Sequence, residues 1–180
     1  MNRFFVPVLA LCALAAAPPA ASPEGTVNTF YSTYWALKIS GGVPDSKARG
    51  MLEPYLSASL TAELAKAEKA ELRYAQRTKN HVPPLIEGDL FTSLFEGATG
   101  LDEVRCATEA KTARCTAALR YDDPSSKEIV RWSDGLDLIA TDGGWRVDDI
   151  SYGGTWEFMH KGRLREVLAQ AVRDGDAPLN

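Results

Sequence analysis

The chain has 180 residues and a formal net charge of −4, and its basic residues form no run. This charge balance argues against nucleic acid or an anionic membrane surface as a partner. The sequence contains no zinc-site, phosphate-loop or dinucleotide-binding motif, and His81 and His160 are its only histidines. We therefore expect neither a metal ion nor a cofactor.

Residues 1–21 are predicted to be a signal peptide. Arg3 supplies the positive charge, and residues 4–17 form an apolar run that is short for a bilayer span. Cys12 lies inside this run and follows a leucine, where a lipid-attachment site requires a small residue. We therefore expect residues 22–180 to be a single periplasmic or secreted domain, soluble after cleavage and without stable membrane insertion.

The first helix of the domain is predicted over residues 26–39. Apolar and aromatic side chains recur there at helical spacing, and Gly41 with Gly42 ends the helix. Aromatic residues are only moderate helix formers. Packing against the rest of the domain must therefore hold this helix in place.

Two more helices are expected before the first strand. The shorter one begins at Asp45 or Ser46 and is broken at Pro54. The longer one begins at Ser57 or Ser59 and consists mainly of good helix formers. Its outer face carries charges of both signs, which is typical of a solvated surface and not of a binding patch.

Residues 81–100, HVPPLIEGDLFTSLFEGATG, are predicted to be an irregular apolar connection. An exposed apolar patch of this size would be a liability, so the segment must pack on the domain. Glu87 and Asp89 flank Gly88, where the main chain can approach a neighbour or a ligand closely. Two interpretations stay open: a pocket wall or lid that carries acids, or a segment that seals one end of a curved sheet.

Cys106 and Cys115 are predicted to form a disulfide. They are equidistant from the centre of a predicted hairpin, which lies between Ala110 and Lys111, and so face each other across two strands. An exported protein meets oxidising conditions, which favour the bond. A redox or metal role would need CxxC spacing or nearby histidines, so we interpret the pair as structural.

The strands after residue 128 are predicted to form a hairpin with a tight turn at residues 141–144. One face of the first strand carries an apolar row, interrupted by Asp134: Val130, Trp132, Leu136, Leu138 and Ala140. The apolar residues of the second strand change face partway along: Trp145 and Val147, then Ile150 and Tyr152. A β-bulge near Asp148 and Asp149 would produce this change.

The environment of Asp149 depends on the position of that bulge. Asp149, or Asp148 if the bulge comes earlier, is expected either in an apolar concavity or at the rim of the sheet, where it is solvated or caps the next turn. In the first case the carboxylate needs a partner or a raised pKa. After the hairpin, an apolar stripe at helical spacing from residue 164 predicts a last helix that ends at Gly175.

Helices followed by hairpins predict an α+β fold. Residues 143–150, GGWRVDDI, after a strand that ends in LIA, resemble the last strands of the nuclear-transport-factor-2-like (cystatin-like) superfamily. Residues 83–100, together with DDISYGGTWEF and KGRL, resemble more closely a family of bacterial envelope proteins that share a domain of unknown function. The resemblance covers residues 28–168 and supplies a fold but no mechanism.

The resemblance implies helices packed on a strongly curved antiparallel sheet, which encloses a cone-shaped cavity. It places Tyr31, Tyr34 and Trp35 of the first helix on the cavity wall, opposite Trp132 and Trp145. With the acids discussed above, the ligand-pocket candidates are Tyr31, Tyr34, Trp35, Glu87, Asp89, Trp132, Trp145 and Asp149.

Three functions are compatible with this pattern. A non-catalytic domain that binds a small apolar ligand or an envelope protein is favoured, because aromatic walls with few polar groups describe an ordinary pocket. The first alternative is an inhibitor or immunity-type protein, with Tyr152, Trp156 and Phe158 as anchors in an exposed loop. If this loop is not an interaction site, Trp156 and Phe158 are expected to cover the open end of the cone. The second is an isomerase- or dehydratase-like enzyme in which Asp149 pairs with a helical tyrosine, Tyr31 or Tyr34. No nucleophile motif supports catalysis, so we assign no catalytic residue.

Overall fold

A computed structural model describes residues 22–126, 128–156 and 160–178. In these ranges the chain forms an α+β domain, which confirms the predicted class. The predicted signal peptide lies outside the described residues. The helices are α1 (Pro23–Ala36), α2 (Ser46–Leu52), a 3₁₀ turn (Glu53–Tyr55), α3 (Ala58–Thr78) and α4 (Leu164–Asp176). The strands are β1 (Gly100–Glu109), β2 (Thr112–Asp122), β3 (Ile129–Thr141) and β4 (Gly144–Ser151).

The boundaries predicted for α1 are wrong at both ends, since the helix begins and ends earlier than residues 26–39. Its start is set by Ser22, whose hydroxyl accepts a hydrogen bond from the Gly25 N–H at 3.0 Å, and by Pro23, whose fixed φ suits the first helical position. Its end is set at Lys38, where φ is 49°. A main chain in the left-handed region cannot continue a helix.

The next two helices begin where the sequence predicts. The Asp45 carboxylate caps α2 by accepting from the Ala48 N–H at 2.8 Å, and the Ser57 hydroxyl caps α3 by accepting from the Leu60 N–H at 3.0 Å. Pro54 lies in the 3₁₀ turn after α2, so the predicted break is also confirmed.

The four strands form an open antiparallel meander in the order β1-β2-β3-β4. Cys106 and Cys115 are direct partners across the first hairpin and are joined by a disulfide. In the last hairpin Asp137 pairs with Asp149, whereas Leu138 pairs with Val147. Asp148 is therefore the extra residue of a β-bulge, which confirms the predicted change of face.

The core lies between one face of this sheet and α1, α3 and the segment that joins α3 to β1. Its largest fully buried side chains come from these elements and from the ends of α2 and α4: Phe30, Tyr31, Leu52, Leu60, Leu64, Leu90, Phe91, Leu119, Leu136, Leu138, Ile150 and Leu164. The sheet is neither closed nor strongly curled. The domain thus has the predicted class without showing the predicted cone.

The last helix corrects one expectation. Gly175 does not end α4 but lies inside it, where α4 crosses α3. A β-carbon at this position would stand 2.8 Å from the β-carbon of Ala70, so the missing side chain permits the close approach of the two helices. Among the described residues, no helix has both the length and the apolar character needed to cross a bilayer.

Candidate functional site

The segment between α3 and β1, residues 79–99, is held in the domain by a buried carboxylate. Asp134 lies on the core face of β3 and is fully buried. It accepts hydrogen bonds from the Ser93 N–H at 2.8 Å, the Trp132 Nε1–H at 3.0 Å and the Gly153 N–H at 2.9 Å. The Ser93 hydroxyl is a fourth donor. One charge therefore joins the α3–β1 loop to β3 and to the chain after β4.

A second buried carboxylate shapes the same loop from within. Asp89 accepts from the Tyr34 hydroxyl at 2.6 Å and from the N–H groups of Phe91 and Thr92 at 2.9 and 2.7 Å. Burial raises the pKa of Asp89, although these donors act in the opposite direction. Burial, followed by the charge of Asp89, raises the pKa of Tyr34 far above its ordinary value. The tyrosine therefore keeps its proton and remains the donor.

The two other buried tyrosines bind the main chain of the α3–β1 loop. The Tyr31 hydroxyl donates to the Phe91 carbonyl at 3.2 Å, and the Tyr152 hydroxyl donates to the Leu90 carbonyl at 2.7 Å. Burial is the main cause of the raised pKa of both tyrosines. Their hydroxyl groups thus satisfy carbonyls that the core would otherwise leave without donors.

The α1–α2 loop, residues 37–45, touches the α3–β1 loop through glycines. The Gly42 N–H donates to the Gly88 carbonyl at 2.7 Å. A β-carbon at Gly41 would lie 2.6 Å from that carbonyl oxygen, and one at Gly88 would lie 2.6 Å from the ring of Phe95. All three glycines have positive φ, so a side chain at any of them would be strained as well.

These two loops and α3 border a surface groove of about 720 Å³. We call it the acidic groove, and its lining includes four acids: Glu71, Glu87, Asp89 and Glu96. Its apolar lining residues are Ile39, Val43, Pro84, Ile86 and Phe95. Among the residues that the structure describes, no lysine or arginine lines it, and Phe95 keeps 45% of its surface exposed. The groove thus combines apolar surface with negative charge.

Only two of the predicted pocket residues line the acidic groove, namely Glu87 and Asp89. The buried tyrosines of α1 are part of the packed core, where Tyr31 stacks on Trp35 at 5.5 Å between ring centres. Trp132 is buried on the same face of the sheet, and Trp145 is partly buried. The aromatic residues expected to line a cavity therefore do not line this groove.

Asp149 is neither in an apolar concavity nor solvated, but it accepts a hydrogen bond from the first turn of α4, as the expected capping role requires. It is buried on the sheet face opposite the core, where it accepts from the Arg163 Nε at 2.5 Å and from the Arg165 N–H at 3.2 Å. The acid that pairs with a tyrosine is Asp89 and not Asp149. The expected pairing of Asp149 with Tyr31 or Tyr34 is therefore wrong.

Arg163 also binds Asp137, the cross-strand partner of Asp149. Partial burial raises the pKa of Asp137, but the hydrogen bonds and charges of Arg163 and Arg114 outweigh it, so the net pKa lies below its ordinary value. Because the folded-state pKa is lowered, the ionised carboxylate stabilises the fold above the ordinary pKa. That stabilisation is lost as the pH falls through the lowered value.

The loop expected to be an exposed interaction site is only partly exposed. Tyr152 is buried, and the Trp156 ring packs edge-on against Trp132 at 5.5 Å between centres. Phe158 lies outside the described residues. The expectation of an exposed anchor is therefore wrong for Tyr152, and Trp156 covers the edge of the core.

The sequence analysis did not predict the hydrogen bonds by which Asp134 holds Ser93. It also predicted only two of the four acids that line the groove. The position of Asp134 in an otherwise apolar row indicates that its carboxylate is buried, and a buried carboxylate needs hydrogen-bond donors from other parts of the chain. Gly41 and Gly42 indicate the end of a helix, but these consecutive glycines also permit the contact with Gly88. No local pattern indicated that Glu71 and Glu96 face the same groove.

No protein-family model matches the chain, and no curated protein matches it either. The resemblance described above therefore stays a prediction. In the ranges that the structure covers, no group of three or more His, Cys, Asp or Glu side chains is placed to hold a metal ion.

Proposed function

We propose that the protein is a non-catalytic binding domain whose ligand site is the acidic groove. The observation that carries this proposal is a groove of about 720 Å³ with apolar and charged lining. Small-molecule sites in proteins have about 300–1,000 Å³ and combine apolar surface with a few polar groups. The acidic groove has this size and this mixture.

Contacts within the domain hold the walls of the groove together. The hydrogen bond from Gly42 to Gly88 ties the two loops to each other, and the buried carboxylates of Asp89 and Asp134 tie the α3–β1 loop to the core. A preformed site binds more tightly because little conformational entropy is lost on binding.

The two alternatives have less support. The pair of Asp89 and Tyr34 has the composition of an acid–base site, but it is buried and its carboxylate oxygens already accept three hydrogen bonds. An interaction loop needs exposed anchors, and Trp156 packs against Trp132 instead.

Export and the finer fold assignment belong to the same proposal. The disulfide between Cys106 and Cys115 supports an oxidising compartment, and amino-terminal sequencing of the protein recovered from the periplasm tests the cleavage near residue 21.

The crossing of one sheet face by α1 supports the cystatin-like assignment. A solved structure with strong bending at the Asp148 bulge would strengthen that assignment, and a flat sheet would refute it.

A fragment screen tests the binding site without assuming a ligand. Amide signals are recorded by ¹⁵N NMR, and we expect fragments to shift the signals of residues 39–43 and 86–96. Ser40→Trp places an indole at the groove, so we expect it to abolish these shifts. Ser32→Trp, on the exposed side of α1, is the matched control and leaves them unchanged. Shifts that cluster elsewhere, or no shifts at millimolar fragment, would refute the proposed site.

A further inference from the structure

We infer that the occupant of the acidic groove is a small amphipathic organic cation, an amine with an apolar body. The inference rests on the proposed function and adds the chemical class of its ligand. Charge complementarity and exposed apolar surface, which come from different residues of the groove, point to the same class.

Charge complementarity is the first step. Glu71 and Asp89 are already bound, because the Glu71 carboxylate accepts from the Leu85 N–H at 3.0 Å and Asp89 accepts from Tyr34. Glu87 and Glu96 are exposed, and within the described residues no side chain pairs with either. Like charges that share a site favour a cation that relieves their repulsion.

The apolar lining is the second step. Phe95 exposes nearly half of its surface beside the acids, and Ile39, Val43 and Ile86 add aliphatic surface to the lining. An aromatic face attracts an ammonium group, and aliphatic walls favour a hydrocarbon chain. A bare inorganic cation would leave this apolar surface in contact with water.

The other side of the α1–α2 loop has the opposite character. A second groove of about 540 Å³ is lined by Lys38, Lys47, Asp45 and Met51, among others, and shares residues 39–41 and Val43 with the acidic groove. The loop thus separates a groove lined by four acids from one lined by two lysines and one acid. An anion is therefore directed away from the acidic groove.

The test compares three probes of equal length and different charge: hexylamine, hexanol and hexanoate. In an NMR titration at low salt we expect hexylamine to shift residues 86–96, and we expect hexanol and hexanoate to bind about tenfold more weakly. The double variant Glu87→Gln/Glu96→Gln should weaken hexylamine about tenfold, and Glu128→Gln, an exposed acid outside the groove, should not.

The outcomes separate the two proposals. If hexanol or hexanoate binds the groove as tightly as hexylamine, the cation inference is wrong and the binding site stands. If a capped tetralysine peptide binds and hexylamine does not, the small-molecule occupant is wrong. If no probe and no fragment shifts the residues of the groove, the proposed function fails with the inference.

Discussion

Replacement of the buried Asp134 by asparagine tests the role of this carboxylate as the anchor of the α3–β1 loop. Its Oδ2 accepts from two groups that can only donate, the Ser93 N–H and the Trp132 Nε1–H. Its Oδ1 accepts from the Gly153 N–H and from the Ser93 hydroxyl, which can also accept. In the asparagine variant the side-chain NH₂ therefore takes the place of Oδ1, where the Ser93 hydroxyl can accept a hydrogen bond from it. The Gly153 N–H then has no acceptor.

The cost follows from this count. One unsatisfied N–H costs about 1–3 kcal/mol, and the remaining hydrogen bonds lose the strengthening given by a charged acceptor. The loss is partly offset because a charge no longer has to be buried. We expect Asp134→Asn to lower the free energy of unfolding by about 2 kcal/mol and Asp134→Ala, which leaves three N–H donors without an acceptor, by about 4 kcal/mol.

Urea unfolding followed by circular dichroism measures both values, and hydrogen exchange locates the effect. The amides of Ser93 and Gly153 should exchange faster in Asp134→Asn, whereas those of β2 should change less. Asp142→Asn in the exposed β3–β4 turn is the matched control and should change stability by less than about 0.5 kcal/mol. An Asp134→Asn protein as stable as its parent, or an alanine variant no worse than the asparagine variant, would refute the anchoring role.

Three further predictions concern other parts of the fold. Replacement of Cys106 and Cys115 by alanine opens a loop of ten residues, since the two cysteines are nine positions apart. The free energy of unfolding should fall by about 2.7 kcal/mol because the unfolded chain gains entropy. Urea denaturation of the oxidised parent and the variant measures this difference, and equal stability would contradict the prediction. Gly88→Ala should lower the melting temperature and the affinity of the groove, because its β-carbon meets a ring at a positive φ. Gly50→Ala is the control, because Gly50 lies in α2 with no atom within 4 Å of the added carbon, and it should raise the stability by about 0.5–1 kcal/mol. If both variants lose the same amount of stability, the contact of the new β-carbon with Phe95 is not the cause. Asp137→Asn should destabilise the protein at pH 7 and lose its effect as the pH falls below the ordinary aspartate pKa; an effect that stays constant down to pH 2 would exclude the arginine pairs as its source.

Features coded by neighbours along the chain could be predicted from the sequence. The pairing of Cys106 with Cys115 follows from the symmetry of one hairpin, and the bulge at Asp148 follows from a change of parity within one strand. The caps of α2 and α3 are equally local, since Asp45 and Ser57 each bind an N–H three residues ahead.

The candidate site could not be predicted in the same way, because distant segments create it. Tyr34 and Asp89 are 55 residues apart, and Ser93 and Asp134 are 41 residues apart. The partner of Asp149 is an arginine beyond the end of the sheet, so the local pattern left its environment open. The curvature of the sheet was inferred from a resemblance and not from the residues themselves.

The contact of Gly41 and Gly42 with Gly88 determines how the proposed ligand site can change by mutation. Main-chain atoms and not side chains set the spacing between the two loops. Substitutions at Ile39, Val43 or Glu96 would therefore change the chemistry of the proposed ligand site, while the width of the groove between the two loops stays the same. Such a site can change its selectivity in single mutational steps, provided that the three glycines are retained.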